Sequence, residues 1–261
     1  MRIGTLAGGF GLGCVVAALA GEATAGDWIV TVGLRPQAAT PYEGADHDVV
    51  LPVPSIALRR PGQPDRLVPP DDGYGVSAFS WNWINVGPAV RLRGSRDDEG
   101  ARAGLSPVGI AVETGVFFSL WPTDWLRLHA EERKGVTGHH GWIGDADIDL
   151  VASEGPWTAS IGPRIGWGDR SYMQTYFGVT PAEAAANAAI DTPYTPGGGI
   201  RYLGATGTLT YRFSERWQTN ANVGFHHLAA PPADSPIVQT LGARTEVYGG
   251  LGLKYSFSWK R

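Results

Sequence analysis

The sequence is poor in charged residues, in cysteine and in long apolar runs, and each shortage excludes a class of protein. Asp, Glu, Lys and Arg make up only 18% of the 261 residues, against roughly 25% in soluble domains. Beyond the first twenty positions no apolar run approaches the ~18 residues of a membrane-crossing helix, which excludes a polytopic helical membrane protein. The net charge of −4 argues against a nucleic-acid partner, because such proteins are normally basic.

The N-terminus has the layout of a secretory signal peptide. Arg2 supplies a positive charge, residues 3–20 are apolar, and Ala23-Thr24-Ala25 forms a small-x-small cleavage site. We therefore expect residues 1–25 to be removed and residues 26–261 to form one exported domain. The single cysteine, Cys14, lies within the signal, so the mature chain has no disulfide framework. A closed, hydrogen-bonded barrel is one way to stabilise such a chain.

Long alternation of apolar and polar residues is the strongest pattern in the chain. From Val247 to Trp259 the odd positions are almost all apolar and the even positions are small or polar, which indicates a strand with one apolar face. Thirteen residues exceed the usual soluble strand of about five or six and suit a tilted membrane-crossing strand of about 9–11. In this register Leu253 faces lipid and Lys254 faces the lumen. Residues 157–167 repeat the pattern.

Two features favour a membrane barrel over a secreted β-sandwich with tryptophans in its core. The polar faces of the strands carry Gly, Ser, Asn, Asp and Arg, as a hydrated lumen does. Tryptophans also fall near strand ends, where they would form interfacial girdles: Trp28, Trp121, Trp125, Trp157, Trp167, Trp217 and Trp259.

The chain is therefore predicted to be all-β, an antiparallel transmembrane β-barrel of about twelve strands, with ten as the alternative. Either even number returns both termini to the periplasmic side. The longer connections, 36–49, 179–198 and 229–244, then face outside, and residues 181–189 form a short helix with Thr180 as its N-cap. The predicted strands are 27–35, 50–60, 74–83, 86–95, 107–119, 124–134, 141–152, 156–168, 171–178, 199–212, 216–228 and 245–259.

Three carboxylates project from one face of one predicted strand, and arginines lie on its neighbours. The acidic residues would repel one another unless arginines across the barrel pair with them. We interpret the set as a structural charge network in the lumen, with an ion-selective path as the alternative. Its predicted members are Asp145, Asp147, Asp149, Arg127, Arg133 and Arg164.

The sequence contains no recognisable catalytic or nucleotide-binding motif, so no catalytic, cofactor-binding or metal-binding residues are predicted. The histidine pairs 139–140 and 226–227 are expected at the membrane interface or in hydrated loops, since adjacent strand residues point to opposite faces. His47, among Glu43, Asp46 and Asp48, is expected in a solvated acidic loop.

Several motifs in order resemble the MipA/OmpV family of outer-membrane proteins. Early ones are Pro41-Tyr42-Glu43-Gly44, Leu51-Pro52-Val53-Pro54 and Gly87-Pro88-Ala89-Val90-Arg91, and Lys134 to Gly141 and Gly162-Pro163-Arg164 follow. The most specific are Tyr176-Phe177-Gly178-Val179-Thr180, Ser235-Pro236-Ile237-Val238 and the terminal Gly-x-x-Tyr-x-Phe from Gly252 to Phe257. The resemblance implies a barrel in the Gram-negative outer membrane, in contact with its lipid. For the founding member it implies a scaffold that bridges a lytic transglycosylase and a peptidoglycan synthase.

The expected function is therefore a non-enzymatic scaffold or surface protein, with a periplasmic murein hydrolase or synthase as partner. A small-solute or ion channel is the main alternative, because the strands present a polar inner face. A barrel hydrolase is a third hypothesis, which would depend on Asp147 or His140.

Overall fold

The computed structural model describes residues 28–75, 77–81 and 83–259, so the predicted signal peptide lies outside the described residues. The strands are β1 (Trp28–Ala39), β2 (Val49–Arg59), β3 (Tyr74–Gly75), β4 (Phe79–Trp81), β5 (Ile84–Arg93), β6 (Ala111–Thr123), β7 (Leu126–Gly135), β8 (Trp142–Glu154), β9 (Trp157–Gly168), β10 (Gly199–Arg212), β11 (Trp217–Leu228) and β12 (Thr245–Trp259). The α-helices are α1 (Arg170–Phe177), α2 (Pro181–Ala186) and α3 (Pro236–Leu241). None of the described helices has the length and hydropathy needed to cross a membrane.

The twelve strands form one antiparallel sheet that curls into a nearly closed barrel. From β5 to β12 each strand pairs with the next along the chain, and β1 pairs with both β2 and β12. The predicted pairing of the last strand with the first is confirmed, with Trp28 opposite Trp259 and Leu34 opposite Leu253. This pairing satisfies backbone groups that a lipid environment would leave without partners.

The two faces of the strands differ in the way that the alternation predicts. On β9, Ile161 and Ile165 point outward and are exposed, whereas Ser160 and Arg164 point inward and are buried. On β12, Leu251 is 65% exposed on the outside. An apolar exterior around a charged interior is the inverse of a soluble domain and is characteristic of an outer-membrane barrel. The fold prediction is confirmed, and the sandwich alternative is wrong.

The barrel has a seam between β2 and the short strands β3 and β4, because no ladder joins them in the described residues. Pro36 on β1 lies directly opposite Pro52 on β2. Neither has an amide hydrogen, so this is a non-hydrogen-bonded pair, and the imide nitrogens of Pro52 and Pro54 face the seam. Because Pro52 and Pro54 have no amide hydrogen to donate, this edge cannot pair with another strand along its length.

The predicted strand 171–178 is wrong, because this segment forms helix α1. Its buried residues Tyr172, Met173, Tyr176 and Phe177 recur at the helical spacing of i, i+1, i+4 and i+5 rather than at alternate positions. The side chain of Asp169 accepts a hydrogen bond from the amide of Tyr172 at 2.8 Å and caps the helix. The predicted strand 74–83 is also too long, since only β3 and β4 form within it. The count of twelve is met without the 171–178 strand.

Apart from the segment between β2 and β3, the longer connections meet at one end of the barrel, which we call the cap end. The predicted helix after Thr180 is confirmed as α2, although it ends at Ala186 rather than at residue 189, and Thr180 and Glu183 form a reciprocal capping box. Burial raises the pKa of Glu183, but hydrogen bonds from the Ser106 and Thr180 amides outweigh it and lower the pKa to about 2. The opposite end carries Trp28 and Trp259, the first and last described residues, together with tight turns, and we call it the terminal end.

Six of the seven tryptophans predicted for the girdles are exposed or half-buried on the barrel surface. Trp121 is the exception, because its position on β6 points inward and its side chain is buried. The guanidinium of Arg66 lies over its ring, 5.1 Å from the centroid, so a cation–π contact replaces the expected lipid interface.

Candidate functional site in the barrel lumen

All six predicted lumen residues are buried and project into the barrel. Asp149 on β8 accepts hydrogen bonds from Arg127 at 2.8 Å and from Arg164 at 2.7 Å. Asp147 lies 3.5 Å from the Nε atom of Arg164. These contacts follow from the register, which places Asp149 beside Arg127 and Asp147 beside Arg164 on neighbouring strands. The arrangement pairs charges across strands throughout the middle of the lumen.

Arg133 pairs with three carboxylates of this network. Its fully buried guanidinium donates to Glu113 at 3.1 Å and also to Glu131 and Asp145. Arg93 on β5 adds a second contact to Glu113 at 2.9 Å. A planar guanidinium has five N–H donors and can bond to three carboxylates in this way, whereas the ammonium group of a lysine cannot reproduce this planar donor geometry.

Residues 60–73, which we call the inserted segment, run from the end of β2 into the lumen. Asp71 accepts a hydrogen bond from Arg164 at 2.7 Å, and Asp72 pairs with Arg127. The amide of Gly73 donates to Glu131 at 2.7 Å. Burial raises the pKa of Asp71, but the Arg164 guanidinium outweighs it and lowers the pKa to about 2. Burial also raises the pKa of Asp72. The inserted segment thus fills the space between the charged walls.

Glu43 closes the network at the cap end. It pairs with Arg201 on β10, lies 3.3 Å from Arg93, and accepts a hydrogen bond from the hydroxyl of Tyr172 at 2.9 Å. The expectation of a solvated acidic loop is therefore wrong for Glu43, although His47 is exposed and bonded to Asp46. Glu43 turns inward because the guanidinium groups of Arg201, which is buried, and Arg93 need a counter-charge.

The histidines behave differently from the expectation of interface or loop positions. His139 is buried and lies 3.1 Å from Glu113. His226 faces the lumen and stacks on Tyr202 with ring centroids 3.7 Å apart, whereas His227 is exposed. The expectation is thus wrong for His139 and His226. The rule that adjacent strand histidines point to opposite faces is confirmed for the second pair.

The family-motif residues Tyr176, Phe177, Gly178, Val179, Ser235 and Pro236 all lie at the cap end. The hydroxyl of Ser235 donates to the carbonyl of Phe177 at 2.7 Å and accepts from the amide of Ile237 at 3.2 Å. It therefore joins the end of α1 to the start of α3. Arg96 donates to the carbonyl of Tyr176, which fixes the same helix end to the loop after β5.

Replacing Ser235 with alanine should loosen this junction. The change removes an N-cap and leaves the Phe177 carbonyl buried without its donor, so we expect a loss of about 1–2 kcal/mol in local stability. Hydrogen–deuterium exchange of the amides in α1 and α3 would be faster than in the parent protein. The Ser153→Ala variant is the control, because that hydroxyl is exposed and bonds to Thr158 on the neighbouring strand. Equal protection of the helices in both variants would contradict the assigned role of Ser235.

Sequence reasoning missed His129 and Glu131, which alternate with Arg127 and Arg133 along β7 and point inward with them. Ser119 Oγ lies 2.6 Å from His129 Nδ1, and His129 Nε2 lies 3.2 Å from Glu131. This connectivity resembles a hydrolase triad, but Ser119 is buried and does not line the lumen cavity described below. The signal that could have found these residues is the run of polar odd positions from 127 to 133.

A cavity of about 20 Å³ lies within the network and has room for about one water molecule. Its lining is charged or polar throughout. The lining residues are Asp71, Arg91, Asp145, Asp147, Arg164, Tyr202 and His226. The network can hold a small ion or a water, but the cavity is too small for an organic solute.

Comparison with solved structures finds similar barrels at low sequence identity. An outer membrane channel from Pseudomonas putida F1 is 12% identical, with 90% of this chain and 97% of that chain covered and a TM-score of 0.39. The NanC porin is 9% identical, with 88% and 100% covered and a TM-score of 0.39. A FadL homologue from Pseudomonas aeruginosa is 10% identical, with 89% and 88% covered and a TM-score of 0.33.

Comparison with curated protein sequences gives no match. Among protein families, the sequence model described as MltA-interacting protein MipA matches residues 32–257. This range runs from β1 into β12 and includes the cap, the inserted segment and every strand of the lumen network.

Proposed function

Because the chain belongs to the MltA-interacting protein MipA family, we propose that this outer-membrane barrel is a non-enzymatic scaffold that binds a periplasmic murein hydrolase. The observation that carries the proposal is the filled lumen. Buried ion pairs and the inserted segment occupy the space through which a solute would pass. In a barrel filled in this way, the surfaces available for interaction are its two ends and its lipid-facing wall, rather than a pore.

The same packing argues against the channel alternative. A conducting pore needs a continuous hydrated path, and the lumen cavity holds about one water molecule. We expect the folded protein to show no conductance steps above background in planar bilayers. Reproducible steps from the folded barrel would contradict a filled lumen and favour the channel.

The terminal end is the side on which the scaffold would meet a periplasmic partner. Outer-membrane barrels have short periplasmic turns and longer extracellular loops. Here Gly155 and residues 213–216 form tight turns at the end that carries Trp28 and Trp259, the first and last described residues, whereas the cap end holds most of the long connections. Arg216 is exposed at the terminal end, and a rim charge of this kind affects association with a protein partner.

A binding experiment tests the proposal directly. The full chain, solubilised in detergent and immobilised, is expected to retain purified MltA, the hydrolase that the family description names. We expect Arg216→Glu to weaken retention about fivefold, since reversing one rim charge changes association by roughly 1 kcal/mol. The matched control is Arg244→Glu, an exposed arginine at the cap end, which should bind like the parent protein. Absence of retention by the parent protein would contradict the scaffold role but not the assignment of the fold as a barrel.

A further inference from the structure

We propose that the lumen contains a divalent transition-metal site formed by Asp72, His129 and Asp147. The ligand atoms of the three side chains all lie within 4.8 Å of one another. Asp72 comes from the inserted segment, whereas His129 and Asp147 face each other on the paired strands β7 and β8. A metal ion here would join the inserted segment to the barrel wall.

The oxygen ligands are available because hydrogen bonds do not use them fully. The side chain of Asp72 is 6% exposed, and its Oδ1 atom is buried with no hydrogen-bond partner among the described residues. Its other oxygen pairs with Arg127. The side chain of Asp147 is 7% exposed, and its contact with Arg164 is an ion pair at 3.5 Å. A buried carboxylate oxygen without a donor is costly, and a bound cation would remove that cost.

The imidazole of His129 has one ring nitrogen beside a hydroxyl and the other beside carboxylates. Its Nδ1 atom lies 2.6 Å from the hydroxyl of Ser119, whereas its Nε2 atom lies 3.2 Å from Glu131 Oε1 and 4.0 Å from Asp72 Oδ1. If Nδ1 carries the proton and donates to Ser119, the Nε2 lone pair can bind a metal ion, which would replace the present contact between Nε2 and Glu131. A hydrogen bond from the second ring nitrogen is the usual outer-shell support of a metal-binding histidine.

Local charge also favours a dication. Asp71, Asp72, Asp147 and Asp149 share the guanidinium groups of Arg127 and Arg164. When all four carboxylates are ionised, the two guanidinium groups leave a formal charge of −2 in this part of the lumen. One divalent cation would neutralise it. Water is largely excluded here, so the electrostatic gain on binding would be larger than at the surface.

The donor set identifies the class of metal. Imidazole with carboxylates suits Zn²⁺ or Mn²⁺ rather than Ca²⁺, which prefers oxygen ligands alone. Tetrahedral zinc–ligand bonds of about 2.1 Å place the ligand atoms about 3.4 Å apart. Because the ligand atoms here lie within 4.8 Å of one another, the most widely separated pair needs to approach by as much as about 1.4 Å. Asp72 lies on the inserted segment, outside the strand ladders, and is the ligand best placed to make that movement.

The test is Zn²⁺ titration of the detergent-solubilised full chain by isothermal calorimetry, after removal of bound metal with a chelator. We expect one Zn²⁺ per chain, and slower hydrogen–deuterium exchange in the inserted segment when Zn²⁺ is present. Asp147→Asn and His129→Gln should each weaken binding at least tenfold. Asp124→Asn, at the tight turn between β6 and β7, is the matched control and should bind Zn²⁺ like the parent protein.

Absence of binding to the parent protein is decisive even if a variant fails to fold, and heat-modifiable gel mobility identifies the folded variants. No saturable Zn²⁺ binding by the parent protein overturns the proposal. Unchanged affinity in folded Asp147→Asn also overturns it, because the metal would then lie elsewhere. Failure of murein hydrolase binding has no bearing on this outcome, since the site faces the lumen.

Discussion

Replacing Arg133 with methionine is expected to destabilise the barrel by about 3–5 kcal/mol, because it leaves buried carboxylates without their counter-charge. Arg133 is fully buried and bonds to Glu113, Glu131 and Asp145. Methionine has a similar length but no donor. Urea-induced unfolding in lipid vesicles, followed by tryptophan fluorescence, gives the free energy of unfolding of both proteins.

Arg170→Met is the matched control for this experiment. Arg170 begins α1 and is exposed, so its replacement should change stability by less than about 0.5 kcal/mol. A loss of stability in Arg133→Met no larger than in this control would mean that the three carboxylates find other partners. The lumen network would then be less dependent on one arginine than its geometry indicates.

The strands of the barrel were predictable because each carries its own signal. Alternation over ten or more residues places one face in lipid and the other in the lumen, and β9 and β12 follow it. Helix α1 was missed because an aromatic-rich segment of eight residues was interpreted as a strand. Its apolar spacing and the Asp169 cap, which distinguish the two, are both present in the sequence.

The candidate site was predictable only where its members share neighbouring strands. Asp147, Asp149, Arg127 and Arg164 follow from strand order and register, which alternation determines closely. Asp71 and Asp72 were not predictable, because the inserted segment has no periodic pattern and lies in the lumen only through distant partners. Glu43 and Arg201 meet across 158 positions of sequence, a separation at which local patterns give no information.

The edges of the sheet show that both the residues of the edge strands and the lipid environment determine where the barrel closes. β12 pairs with β1 from Trp259 to Gly249, so the first and last described strands satisfy each other's backbone groups. The seam beside β2 is different, since Pro52 and Pro54 remove donors there. The short strands β3 and β4 cover β5 on the other side of that seam. Stability of the barrel should therefore depend strongly on the β1–β12 ladder.

Leu253→Arg places a charge on that ladder and is expected to destabilise the folded barrel by about 2–4 kcal/mol, the cost of arginine on the lipid face near the bilayer midplane. Leu253 is near the middle of β12, opposite Leu34, and points outward. Heat-modifiable gel mobility in lipid vesicles reports the folded fraction. We expect a lower folded fraction at a given urea concentration than in the parent protein.

Lys254→Ser is the matched control, because residue 254 is the next position on β12 and faces the lumen. Its side chain packs against β1 near Gly33, and serine is compatible with a polar interior, so we expect folding close to that of the parent protein. Normal folding of Leu253→Arg together with failure of Lys254→Ser would reverse the in/out register of β12. Such a result would also undermine the assignment of the lumen network, because the faces of all the paired strands are connected through the same ladders.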